Sequence, residues 1–237
     1  MTHHLSRPKD IERIPTIIVG DIHAGFDTYR ALLRREEAKA GRPLPSIQVG
    51  DYGIGNGSDA EARDVRSFHL AHRRHRFIRG NHDRPEEVIR APGYLPDGII
   101  LGRVLFLGGA ESQRQPFRPR QDTEMAQDEM DEVLKRLSAS AEMPDVVVSH
   151  DAPQHVADRL WRETGSSGDG VGQGLAHSSR TRLFLDKVHA VLQPSLWLFG
   201  HWHHPWAHQD GRTHFRCVGY HEAFTLELPL TQMGIAP

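Results

Sequence analysis

A single cysteine, Cys217, is present in 237 residues. An internal disulfide is therefore excluded, and so are thiolate-rich zinc clusters and iron–sulfur cages. Any metal must be held by nitrogen and oxygen. Long apolar runs are also missing: stretches such as Leu196 to Phe199 are only a few residues long, far short of the roughly 18 that span a bilayer as a helix. No membrane partner is expected. Neither sign of charge dominates, with 29 basic and 31 acidic side chains and a net charge of −2, so no global field draws the chain to nucleic acid or anionic lipid. The N-terminus lacks the basic, then apolar, then small pattern of a cleaved signal peptide, and the expected location is cytoplasmic.

What is present is ordinary for a globular protein, with one exception. Apolar residues make up 38%, which with 22 glycines excludes intrinsic disorder. The length suits a single domain over residues 1–237 with a short tail of about 1–14. The exception is 17 histidines, since imidazole is the commonest metal ligand and the usual proton carrier near neutral pH.

Short β-like runs alternate with helical periods, the pattern of an α/β domain. The runs are residues 16–20, 46–50, 76–79, 98–101 with 103–108, 145–149 and 196–200. Helical spacing links Tyr29, Leu32, Leu33 and Ala40, then Ala62, Val65, Phe68 and Ala71, then Met125, Met130, Val133, Leu134 and Leu137, with Asp122 or Thr123 as N-cap of the third. A fourth helix covers about 180–192. Residues 213–229 read as strand broken at Gly219, giving a second sheet with antiparallel neighbours. Two long loops, 110–121 with Arg114, Arg118 and Arg120 and the glycine-rich 165–179, read as lids or as plain surface.

Five apolar runs end directly in a residue able to bind metal: Ile-Ile-Val-Gly-Asp21, Ile-Gln-Val-Gly-Asp51, Phe-Ile-Arg-Gly-Asn81, Val-Val-Val-Ser-His150 and Leu-Trp-Leu-Phe-Gly-His201. In open α/β sheets ligands gather beyond the carboxyl ends of strands, so five such ends would converge on one edge. Glycine before four of the five allows a sharp turn and leaves room for an ion or anion.

The local signatures Asp21-x-His23, Gly50-Asp51, Gly80-Asn81-His82-Asp83, His150 and Gly200-His201-x-His203, in this order, resemble the calcineurin-like metallophosphoesterase superfamily. Gly-Asp-aromatic-Gly, Gly108-Gly109-Ala110 and His150-Asp151-Ala152-Pro153 resemble its small bacterial and phage-type members. The resemblance implies an α/β fold in which two mixed parallel and antiparallel sheets form an αββα sandwich. It also implies two divalent or mixed-valence transition ions: one on Asp21, His23 and His203, the other on Asn81, His150 and His201, with Asp51 bridging. Imidazole, carboxylate and amide ligation suits Mn first, or Fe, Zn, Ni and Co. Two ions at +4 against two aspartates leave positive charge for a bridging hydroxide, as nucleophile, and an anionic phosphate ester, a mono- or diester. His82 would be the catalytic group beside the site, not a ligand, that contacts the phosphoryl group or protonates the leaving oxygen, and Asn81 would also touch substrate. The family often has a second acid three residues after the Gly-Asp aspartate. Ile54 stands there instead, which leaves the partner that orients His82 open.

Other readings compete at several positions. Asp151 reads as an N-cap, and Asp83 reads equally as a cap for a helix beginning Arg84-Pro85. Arg84, Arg114, Arg118 and Arg120 are a clamp for a second phosphate or ordinary surface arginines. The basic stretch His72 to Arg76 reads mainly as a solvated helix end. With the arginine loop it makes a nuclease of single-stranded nucleic acid the alternative enzyme. A non-catalytic, partner-binding scaffold is the rival class, and it is disfavoured because all seven ligand positions and His82 are present.

Overall fold

The protein is described by a computed structural model over residues 12–112, 123–140, 143–165 and 178–231. Among these residues the elements run β1 (Ile14–Val19), α1 (Phe26–Ala40), β2 (Ser46–Gln48), α2 (Asp59–Ala71), β3 (His75–Phe77), α3 (Pro85–Val88), β4 (Ile100–Leu101), β5 (Val104–Leu107), α4 (Gln127–Ala139), β6 (Val146–Ser149), α5 (Gln154–Thr164), α6 (Arg180–Leu192), β7 (Leu196–Phe199), β8 (Trp206–Asp210), β9 (Thr213–Cys217) and β10 (Ala223–Leu228). No helix among them is long and apolar enough to cross a membrane.

The strands form two sheets, one ordered β10-β1-β2-β3 and the other β4-β5-β6-β7-β9-β8. Side-chain alternation along each strand explains why the sheets stack. In β1, Ile18 joins an apolar layer with Ile47, Phe106, Val148 and Leu198, while its neighbours Ile17 and Val19 pack with Tyr29, Leu32 and Leu33 of α1. In β6 and β7 the alternate residues Val147, Trp197 and Phe199 pack instead with Val133, Leu160, Phe184 and Val188 of α4, α5 and α6. Helix, sheet, sheet, helix is the resulting order of layers.

β1, β2 and β3 are parallel to one another, as are β5, β6, β7 and β9. Their carboxyl ends supply the turns that follow, and those turns carry the site.

Several local expectations need correction. The chain after Gly211 does not enter one sheet: β9 lies parallel to β7 and antiparallel to β8, whereas β10, beyond Gly219, pairs antiparallel with β1 in the other sheet. Ala126, not Thr123, caps α4; its N–H is met by Glu129, while the Thr123 hydroxyl donates to the Ala110 carbonyl at 2.7 Å. Asp122 lies outside the described residues. α5 begins after Pro153, so Asp151 is not its cap. The stretch from His72 to Arg76 is not simply solvated. His75 is buried, and Arg74 spends its guanidinium on the Leu44 carbonyl and Glu37. Arg114, Arg118, Arg120 and most of the glycine-rich loop also lie outside the described residues.

Candidate metal centre

The seven residues expected to ligate ions converge at the strand ends in two groups that share Asp51. In the first, Nε2 of His23 and Nε2 of His203 stand 2.8 Å apart, with Asp21 Oδ2 at 3.2 Å from His203 and Asp51 Oδ2 at 3.7 Å from His23. In the second, the Asn81 amide oxygen lies 3.1 Å from His150 Nε2 and 3.0 Å from His201 Nδ1. Asp51 Oδ1 is 3.4 Å from the same His150 nitrogen. One carboxylate thus turns one oxygen to each group.

This donor set could hold metal ions. Asp51 Oδ2 is buried and has no hydrogen-bond partner among the described residues, a costly state for a carboxylate oxygen that a cation would relieve. Four imidazoles, two carboxylates and one amide match the mixed nitrogen and oxygen ligation of such ions. The Val49 carbonyl, which can only accept, takes the Nδ1 proton of His150 at 2.9 Å. That bond turns Nε2 inward, as a second interaction on a ligating histidine does.

Charge in the site is shared between Asp51 and His150. Burial would raise the Asp51 carboxyl, but His150 beside it outweighs this and holds it well below the usual carboxylate range. Burial would likewise lower the His150 ring, yet the Asp51 charge pushes it up to about 10. His23 lies below the usual histidine value, mainly through burial.

Backbone strain is concentrated here. His23, Asp51, His201 and His203 all have positive φ, between 42° and 67°, a region that costs non-glycine residues of order 1–3 kcal/mol each and persists where the surroundings over-determine it. The glycines preceding the ligands act differently from the turn-making role expected of them. Of Gly20, Gly50, Gly80 and Gly200, Gly50 alone has positive φ. A Cβ on Gly80 would overlap Asp51, one on Gly200 would overlap Asp21, and one on Gly50 would overlap the His150 ring. Gly80 thus makes room for a side chain from the adjacent strand end, and Gly50 and Gly200 for side chains from the opposite sheet.

His82 lies beside the paired groups. Its N–H donates to Asp51 Oδ1 at 2.8 Å, its carbonyl accepts from Asn56 Nδ2, and its ring centroid is 4.8 Å from that of His23. Asp83, next in sequence, is a clamp and not a cap. Its buried carboxylate accepts from the N–H groups of Tyr52, Gly53, Ile54 and Gly80 at 2.6 to 3.2 Å, which ties the turn after Asp51 to the turn that carries His82. Burial, and then the charge of Asp51, raise its pKa. Arg84 is exposed, reaches Glu87 at 3.5 Å and lines a cavity of about 450 Å³ together with Ala24, Gly53 and Ile54.

Other contributors escaped the sequence reading. Gln48 is buried and donates from Nε2 to the carbonyls of Gly20 and Gly50, joining the ends of β1 and β2. Asp151 accepts from Arg182 Nε at 2.7 Å and from Trp202 Nε1 at 3.0 Å, so one buried carboxylate, paired with Arg182, links the residues that follow His150 and His201. Trp202 is accordingly core. Tyr220 is exposed, with ring centroids 5.6 Å from His23 and 5.3 Å from His203. His221 also reaches the site, since its N–H donates to the Asp21 carbonyl at 3.1 Å.

The calcineurin-like phosphoesterase family model matches residues 14–205. No curated protein sequence matches the chain. Among solved structures, TT1561 of Thermus thermophilus is 11% identical with a TM-score of 0.56, over 90% of this chain and 98% of that one. The phosphopantetheinyl hydrolase of Mycobacterium tuberculosis is 15% identical with a TM-score of 0.51, over 87% and 89%. At these identities the likeness is one of fold.

Proposed function

The chain belongs to the calcineurin-like phosphoesterase family, and from that premise we propose that it is a binuclear enzyme hydrolysing a phosphomonoester or phosphodiester. The observation that carries the reading is the Asp51 carboxylate, buried between two histidine groups with one oxygen turned to each. Asp21, His23 and His203 would hold one ion and Asn81, His150 and His201 the other, with Asp51 common to both. Manganese comes first, followed by iron, zinc, nickel and cobalt. When bound, two such ions supply Lewis acidity to phosphoryl oxygens and lower the pKa of a shared water.

The residues of the chain then have separate tasks. Asp51, Asn81 and Asp21 set the spacing of the two groups, and His150 is held to its task by Val49. As water adds to phosphorus and the ester P–O bond breaks, His82 delivers a proton to the leaving oxygen. Its backbone is fixed at both ends, by Asp51 and by Asn56, which keeps the ring at the mouth. Arg84, which lines a cavity with Ala24 and Gly53, would take a second anionic group of the substrate, since guanidinium pairs with phosphate bidentately. Asn81 would touch the substrate phosphoryl group as well as an ion.

The direct test is reconstitution of metal-free protein with single metals against a panel of monoesters, diesters, nucleotides and polynucleotides. The reading expects metal-dependent turnover of at least one small ester class. Absence of hydrolysis across the panel with two metal equivalents bound would contradict it.

A further inference from the structure

A second constellation of ligating groups lies apart from the paired centre and shares no residue with it. His155 is near the start of α5, His189 is near the end of α6, and Asp210 ends β8. One ring nitrogen of each histidine and one Asp210 oxygen lie within 4.8 Å of one another. We propose that His155, His189 and Asp210 form a third, structural cation site for a transition ion such as zinc, nickel or cobalt.

Both rings are pre-oriented by other groups. Asp186 Oδ1 lies 2.6 Å from His155 Nδ1, and a carboxylate can only accept, so Nδ1 carries the proton and Nε2 is turned toward Asp210 Oδ2 at 3.4 Å. This carboxylate–histidine arrangement fixes the tautomer that binds metal through the opposite nitrogen. His189 is held by Thr213 Oγ1 at 3.1 Å, and that hydroxyl is itself committed to the Pro194 carbonyl. The rings stack at 5.1 Å, and both meet the Phe215 ring. His189 is buried while His155 and Asp210 are exposed, which gives an ion a way in from solvent.

Two imidazoles and a carboxylate are the ligand types of zinc and its neighbours, leaving a position for water. The site joins three elements at once: α5, which begins just after His150, α6, which carries Arg182, and β8, which begins just after His203. An ion there would brace the segments that follow the ligands of the paired centre. Without one, His155 can instead stay protonated between Asp186 and Asp210, a plain ion-pair cluster.

The experiment compares wild-type protein with His155→Gln and Asp210→Asn, both at exposed positions, each stripped of metal and titrated with zinc by equilibrium dialysis and elemental analysis. The readout is the difference between wild type and variant, so it holds whatever the paired centre takes up. One fewer equivalent in both variants, with ester hydrolysis unchanged, is expected. Asp186→Asn should keep the equivalent but weaken its affinity about 10- to 100-fold. Equal stoichiometry in wild type and both variants would overturn the proposal, leaving an ion-pair cluster, with any extra zinc assigned to exposed histidines such as His204 and His214.

Discussion

Oδ1 of Asp51 occupies the space in which a side chain on Gly80 would begin. The strand end that offers Asn81 is thereby closed against the strand end that offers Asp51, and no residue larger than glycine fits between them. Gly80→Ala should displace the Asp51 carboxylate, reduce metal content and hydrolysis together, and destabilise the fold by about 1–3 kcal/mol, as overpacking does. Gly41→Ala is the control. Gly41 ends α1 with positive φ and has open space where a Cβ would go, so that variant should cost of order 1 kcal/mol and leave metal content and turnover intact. Elemental analysis and denaturant unfolding of both variants check this.

His82 should fail differently from the ligands. A positioned acid contributes roughly 10² to 10⁴ in rate, most where the leaving oxygen is basic. His82→Ala should keep both ions, retain much activity on a nitrophenyl ester and lose far more on an alkyl ester. Equal losses on the two esters would assign His82 to phosphoryl binding alone, and a lost metal equivalent would make it a ligand.

Two buried histidines make stability sensitive to acid. Burial holds His69 down to about 4 and His75 down to about 3; His69 bonds Tyr52 and the His75 carbonyl, and His75 bonds Ser46. Both are neutral in the fold above those values, while the unfolded chain takes up protons from about pH 6.5 downward. The unfolded state therefore binds more protons below pH 6.5, and stability falls with pH by up to about 1.4 kcal/mol per unit for each group. Urea unfolding at pH 7.5 and 5.0 should show a smaller loss for His69→Gln than for wild type. An identical loss would mean that His69 is charged in the fold.

The Asp151–Arg182 pair lies beneath the histidines of the second group. Burial would raise the Asp151 carboxyl, but Arg182 holds it low. Arg182→Met leaves that charge unpaired and should cost about 3–5 kcal/mol. Adding Asp151→Asn should recover part of the loss. Denaturation of the single and double variants gives the coupling, and additive losses would contradict the pairing.

The convergence of the candidate ligands was legible because parallel strands end at one edge, so five apolar runs closing on Asp, Asn or His point to a common place. Other features act through shape that a linear pattern does not carry. The need for Gly80 and Gly200 lies in side chains from other strands. Asp83 acts on backbone N–H groups of the turn after Asp51, more than twenty residues away. Gln48 did leave a trace, as a polar residue inside the apolar run of β2. So did α5, whose buried Val156, Ala157 and Leu160 keep helical spacing between Pro153 and Gly165. The split of β9 from β10 at Gly219 is a matter of which sheet has a free edge, which strand periodicity does not reveal.

On the proposed reading one carboxylate, Asp51, holds two ions. The metal stoichiometry and turnover of Asp51→Asn beside wild type, both loaded with manganese, test this. Removing the shared charge should weaken both ions together and reduce hydrolysis of every ester on the panel. Two tightly held manganese equivalents at the paired centre and near-normal turnover in Asp51→Asn would contradict the account.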